Sequence, residues 1–220
     1  NFLDSFMRKP KKPLALILGG AKVDSKIDLI DKFIHNASHI LIGGGMAFTF
    51  LKARGKEVGG SLVDNSMLTI AKRLLRKASD NNVQIHLPED VLCAENISSP
   101  KVIATLNVNE ISSKLMGLDI GPKTVKTFKR ILKESKTVVW NGPLGLFENE
   151  NFETGTKDIA DFLSNMISED VKIIIGGGDT ASALSKFNLI NEMTHVSTGG
   201  GSSLELLSGK LLPAIKALEI

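Results

Sequence analysis

Two lysines stand four residues apart in the stretch "LILGGAKVDSK" (16–26), just after an apolar run that ends in Gly19 and Gly20. If a helix has begun by Lys22, then Lys22 and Lys26 share one face near its N-terminus, where cations oppose the macrodipole and add nothing to helix stability. Charge placed there suits an anion; two solvated surface lysines are the plainer alternative. Three further stretches, "LIGGGMAF", "IIGGGDTA" and "STGGGSSLE", each join an apolar run to a helical period through three glycines. Glycine leaves backbone N–H groups uncovered, and a helix N-terminus aims them at one point together with its positive dipole end. One such junction need only permit a tight turn. Three at equivalent positions favour a phosphate or nucleotide.

Asp179 follows Gly178 directly. Its simplest role is helix N-cap, with Thr180 in support. A carboxylate beside a phosphate loop is also how Mg²⁺ is held, because the ion takes one or two protein oxygens and shares the rest with phosphate and water. The stretch "VVWNGPLGLFE" (138–148) leaves an apolar run through Asn-Gly-Pro and Leu-Gly, which mark a shaped loop at the same edge. There Asn141 offers a donor and an acceptor, and Glu148 offers acceptors for hydroxyls. Trp140 and His195 read as core residues, while His35, His39 and His86 are scattered and suggest no shared site. Neither a G-x-x-x-x-G-K-[ST] loop nor a G-x-G-x-x-G with an acid about 20 residues later occurs, which argues against a P-loop and against a nicotinamide site.

Elements must bring these residues to one edge. Short apolar runs at 13–18, 39–42, 83–87, 137–140, 172–175 and 195–198 read as buried strands, and amphipathic stretches such as Leu68, Ala71, Leu75 and Ala78 separate them. Strand and helix in alternation predict an α/β fold: a doubly wound, mainly parallel six-stranded sheet with helices on both faces, Rossmann-like, in three αβα layers. Of the 20 glycines, those at 19–20, 43–45, 176–178 and 199–201 follow predicted strands. That is the carboxyl edge of the sheet, where open α/β sheets bind ligands. The segment from Pro88 to Leu118 has weak periodicity and reads as an irregular or small β insertion.

The 220 residues suffice for one large domain, and the net charge of +3 comes from Lys and Arg dispersed among acids, unlike the basic stripe of a nucleic-acid binder. A single cysteine, Cys93, rules out an internal disulfide and fits a reducing, cytoplasmic setting. No apolar run is long enough to span a membrane, and the first residues lack the order of a secretory signal. The chain begins with Asn1 instead of Met, which suggests processing or a piece of something longer.

In order and separation, "LGGAKV", "IGGGMAFTFLK", "MGLDIGP", "VVWNGPLGLFE", "IIIGGGDTASAL" and "HVSTGGGSSLELLSGKLLP" resemble the C-terminal, nucleotide-binding half of the phosphoglycerate kinase family, from about Pro13 to Ala217. The resemblance implies phosphoryl transfer between ADP/ATP and phosphoglycerate, with Mg²⁺. Residues 1–12 would then be the remnant of an interdomain segment and 13–220 the nucleotide domain, a monomer in the family. Carried over by position, Gly20, Ala21, Gly44, Gly45, Gly117 and Leu118 would shape an adenosine pocket. Leu146 would form its wall, Glu148 would accept from the ribose, and Gly142, Pro143 and Phe147 would belong to the same binding loop. Lys22, Lys26 and Asn141 would face the phosphates, and Gly177, Gly178, Asp179 and Thr180 would line their far end, with Asp179 on the metal. The catalytic set would be Lys22, Lys26, Gly178 and Gly200, with Gly199 and Gly201 opening the same helix as Gly200.

Two departures stand out. The acid of the first motif comes one place early, at Asp24, with Ser25 in its usual position, and Ser202 replaces the usual alanine. The domain that would hold phosphoglycerate has no counterpart in these residues. A stand-alone nucleotide-binding module and a nicotinamide-dependent oxidoreductase are the alternatives. Binding of ADP against NAD separates the second of them.

Overall fold

The computed structural model describes residues 10–98, 100–167 and 171–197. In chain order they form β1 (Leu14–Leu18), α1 (Ile27–Phe33), β2 (His39–Ile42), α2 (Met46–Ala53), α3 (Leu68–Asp80), β3 (Gln84–His86), β4 (Asp90–Ala94), β5 (Ala104–Asn107), β6 (Met116–Ile120), α4 (Pro122–Lys133), β7 (Thr137–Asn141), α5 (Thr154–Met166), β8 (Lys172–Gly176), α6 (Gly178–Lys186) and β9 (His195–Ser197). All six runs expected as strands form one parallel sheet in the order β3-β2-β1-β7-β8-β9. This is the doubly wound order, with its reversal between β1 and β7.

Alternation along β1 shows why the runs are continuously apolar. Leu14, Leu16 and Leu18 enter one core with Phe33, Phe50 and Leu74, and Ala15 and Ile17 enter the other with Phe128, Trp140 and Leu163. Both faces of β1 are dry, which is why all five of its positions are apolar. Register then sets the working edge: Ile42 pairs with Leu18, Leu18 with Asn141, and Asn141 with Gly176. Every loop that follows these four residues starts from one row.

The segment expected as an insertion is a three-stranded antiparallel sheet, β5-β4-β6, that continues to Ile120. Asp90 at the start of β4 anchors it to the helical layer, accepting from Lys123 N at 3.0 Å, Thr124 N at 2.8 Å and Thr124 Oγ1 at 2.7 Å, which caps α4 from outside. Cys93 is buried in this sheet, and burial pushes its thiol up to about 11, so it behaves as an inert core residue.

One condition and one expectation are not met. No helix has begun by Lys22: a 3₁₀ turn spans Asp24–Lys26, and α1 starts at Ile27. Ser25 N donates to the Asp24 carboxylate at 2.7 Å and Ser25 Oγ to Lys22 O at 3.3 Å, local bonds that compete with a regular helical turn. The second concerns His39 and His86, which the β2–β3 pairing brings together, Nδ1 to Nε2 at 3.1 Å. Among the described residues no helix is long and apolar enough to cross a membrane.

Candidate nucleotide-phosphate site

Loops leaving β1, β2 and β7 are sewn to one another by their own backbones. Gly19 N donates to Asn141 O at 3.0 Å, Gly20 N to Pro143 O at 2.7 Å, Gly44 N to Leu144 O at 2.9 Å and Met46 N to Gly20 O at 2.9 Å. Contact this close requires glycine at Gly44, whose φ is +62° and where a Cβ would lie 2.6 Å from Gly20 N. The two sides of the sheet's switch point are thereby locked together.

Beside this locked region lies a cleft of about 290 Å³ lined by Lys26, Asn141, Gly142, Gly177, Gly178, Asp179 and Thr180. Its size is at the low end for a small-molecule site, which suits the phosphate end of a larger ligand. Lys26, at the end of the 3₁₀ turn, donates to Asn141 Oδ1, and Asn141 Nδ2 donates to Gly176 O at 2.7 Å. Asn141 is therefore a fully buried bracket, fixed to β8, that aims the ammonium into the cleft. Burial lowers the Lys26 pKa from its ordinary value, and the Asp179 charge opposes that fall. A desolvated cation is a stronger electrostatic partner for an arriving anion than one in bulk water.

Thr180 is buried, and its hydroxyl accepts from Gly142 N at 2.7 Å and donates to Gly176 O at 3.2 Å, tying α6 to the β7 loop. The N-cap of α6 is Gly177, with φ +96° and no side-chain cap, so the N-cap role expected of Asp179 does not hold. Asp179 lies in the first helical turn and is exposed. Its carboxylate stands by the helix N-terminus in the cleft, a single oxygen donor of the kind that Mg²⁺ shares with phosphates and water. Among the described residues no group of three or more His, Cys, Asp or Glu could hold a metal without such help.

Leu146 N donates to Leu118 O at 2.8 Å, which sets the 144–148 loop against β6, and Gly117 N donates to Ser61 Oγ at 3.0 Å. Gly45 stands directly against Ala21 and Leu62, Leu62 being 56% exposed. Glu148 is exposed, and buried Phe147 receives Lys186 Nζ on its carbonyl at 2.9 Å. Lys22 is exposed and not part of the cleft lining, so the two lysines stand in different surroundings. Gly199, Gly200, Gly201 and Ser202 lie outside the described residues.

Two residues escaped the sequence reading. Leu62 follows "GGS" without any periodic partner, so nothing marks it as the exposed apolar side chain beside Gly45. Asp119 lies at a buried position of β6, its oxygens accepting from Gly155 N at 2.7 Å and Ile120 N at 2.9 Å. Burial pushes its carboxyl up to about 8 against the pull of those two N–H groups, with the charges of Asp158 and Glu153 adding to the rise. It caps α5 from beneath the 144–148 loop. An acid at an inward position of "MGLDI" was the available signal.

Known proteins share this sequence and fold. The phosphoglycerate kinase family profile matches residues 1–210. The phosphoglycerate kinases of Synechococcus sp. (strain CC9605) and Thermosipho africanus (strain TCF52B) are 48% and 46% identical over 219 residues, covering 100% and 99% of this chain and 55% and 54% of theirs. Among solved structures, phosphoglycerate kinase from Coxiella burnetii superposes with a TM-score of 0.92 at 40% identity, over 99% of this chain and 55% of that one. The enzyme from Pyrococcus horikoshii OT3 gives 0.82 at 25%, with the same coverage. The chain spans about half the length of the curated relatives it matches. It belongs to the phosphoglycerate kinase family.

Proposed function

We propose that the chain is the nucleotide-binding half of a phosphoglycerate kinase, which moves a phosphoryl group reversibly between 1,3-bisphosphoglycerate with ADP and 3-phosphoglycerate with ATP in glycolysis. The observation that carries this reading is Lys26, held by buried Asn141 over the start of α6 in the cleft that Asp179 also lines. In phosphoryl transfer, negative charge spreads over the equatorial oxygens, and the protein contributes positioning and fixed positive potential instead of a covalent nucleophile. Lys26 and the first N–H groups of α6 provide that potential from opposite walls. The surface formed by Gly45, Leu118 and Leu146 would take the adenosine, with Glu148 accepting from the ribose hydroxyls. Lys22, at the solvent side, acts on the nucleotide phosphates at longer range. Asp179 would hold Mg²⁺, which supplies charge neutralisation at the bound phosphates.

A single half aligns the nucleotide and leaves the acyl phosphate unheld, so positioning is lost. The test is a coupled ATP-formation assay beside an ADP titration. Expected are phosphoglycerate-dependent ATP formation by the intact protein, and Mg-ADP binding with near-zero turnover by residues 1–220. Full turnover by the 220 residues would overturn the half-site reading. Nucleotide binding without any transfer by the intact protein would leave a non-catalytic module.

A further inference from the structure

The edge of the sheet farthest from β9 sets two histidines against each other. His39 pairs in register with Gln84, and Leu41 with His86, so His39 and His86 leave the same face of the sheet on adjacent strands. His39 Nδ1 lies 3.1 Å from His86 Nε2, with ring centroids 5.2 Å apart and planes inclined at 46°. Two neutral imidazoles at this distance share one proton, one ring donating and the other accepting. The same separation is what one metal ion imposes on two ligands. With metal–nitrogen bonds of about 2.05 Å, a 3.1 Å separation subtends about 98° at the ion, between the octahedral and tetrahedral angles.

The surroundings keep both rings in the ligating state. Burial lowers the pKa of each, His86 to about 4 with help from the charges of His39, Arg54 and Arg130, while Glu134 opposes the fall at His39. Both are therefore neutral at pH 7, the form that binds metal. Arg54, whose Nη2 donates to Ile85 O at 2.9 Å, and Arg130 place positive charge near the pair, which the two nitrogen–metal bonds must outweigh and which Glu134 offsets in part. Both histidines are only partly buried, so an ion and its waters can reach them.

We propose that His39 and His86 form a two-histidine site for a late first-row divalent cation of the Zn²⁺, Ni²⁺ or Cu²⁺ type. Imidazole nitrogen suits these ions and not Mg²⁺, which prefers oxygen, so the site is chemically distinct from the phosphate cleft. On binding, the donating ring moves its proton to its other nitrogen and both facing lone pairs go to the ion, with no net proton change. Water fills the remaining positions. The ion joins the three-residue edge strand β3 to β2.

Zn²⁺ titration of the metal-stripped intact protein, by calorimetry in excess Mg²⁺, tests the site. One Zn²⁺ binds per chain, and His39→Gln or His86→Gln each weakens binding about tenfold or more, since even second-shell losses cost that much. Zn²⁺-free turnover is unchanged in both variants. A readout on the unaltered protein guards against misfolding: the ring resonances of His39 and His86 move together on Zn²⁺ addition, and those of His35 and His195 do not. Absence of Zn²⁺ binding, equal affinity in the variants, or shifts confined to His35 or His195 would each overturn the proposal.

Discussion

"LIGGGMAF" and "IIGGGDTA" have nearly the same letters and opposite uses. At Gly43–Gly45 the backbone is consumed by its neighbours: Gly43 N bonds to Leu18 O at 2.8 Å, Gly44 N to Leu144 O at 2.9 Å, and Gly20 and Pro143 fill the space where a Gly44 side chain would stand. At Gly176–Gly178 one backbone bond crosses, Gly177 N to Ser197 O at 3.1 Å, a side chain, Asn141 Nδ2, lies 2.9 Å from where a Cβ of Gly177 would be, and α6 begins without a side-chain cap. A triple glycine thus encodes backbone freedom and close approach. What surrounds it decides whether that freedom locks two loops or leaves a helix N-terminus facing a cleft.

The sharpest contrast between the two junctions is kinetic. Lys26→Ala removes the cation of the open junction and nothing from the closed one. Loss of one preorganised charge in a dry site costs about 10²–10³-fold in turnover. In the intact protein, kcat is expected to fall by that factor while the Kd for Mg-ADP stays close to its original value; the thermal midpoint falls modestly, because buried Asn141 Oδ1 loses its donor. Equal losses in kcat and affinity would make Lys26 a binding residue only.

Gly44→Ala strikes the closed junction. Alanine at φ +62° with backbone atoms 2.6 and 2.8 Å away must displace the Gly20 loop. Strain and clash together cost about 3 kcal/mol, lowering the melting temperature by about 5–10 °C. A midpoint that does not move would show that this junction relaxes as freely as the other.

Much of this was legible and the rest was not, for reasons visible in particular residues. Six strands read correctly because each is a short apolar run, densest in the central strands where both faces are dry, and β7 read one residue short because Asn141 is a polar side chain serving as a bracket at its end. Sheet β5-β4-β6 gave only a weak signal, its β5 being partly exposed throughout. Where α1 begins was not legible, because the side-chain bonds of Asp24 and Ser25 leave no mark in apolar periodicity. Glycines at strand ends mark the edge where the cleft lies. Which of them line it depends on partners brought from more than 100 residues away, as Lys26 is to Asn141. His39 and His86 are likewise joined only by the crossover from β2 to β3.

Thr180 connects the junctions and tests whether they act separately. Thr180→Val keeps the shape but leaves the buried Gly142 N–H without its acceptor, at a cost of about 1–3 kcal/mol. Denaturant midpoints should fall accordingly, and Thr180→Ser should recover most of the loss. If valine is neutral, the hydroxyl does not couple α6 to the β7 loop.

Asp179→Asn is the smallest change, because the residue is exposed and one carboxylate is only part of a Mg-nucleotide site. Affinity for Mg-ADP is expected to weaken about tenfold, or 1.4 kcal/mol, with ADP alone bound as before and the thermal midpoint unchanged. The pH profile reads the same substitution through Lys26. The Asp179 anion raises the Lys26 pKa against the dominant lowering by burial. Removing that anion lets the pKa fall further, so Lys26 loses its proton at lower pH and the alkaline limb of kcat moves to lower pH. A limb that stays in place while affinity weakens would confine Asp179 to the metal; a limb that moves without any affinity change would confine it to the lysine.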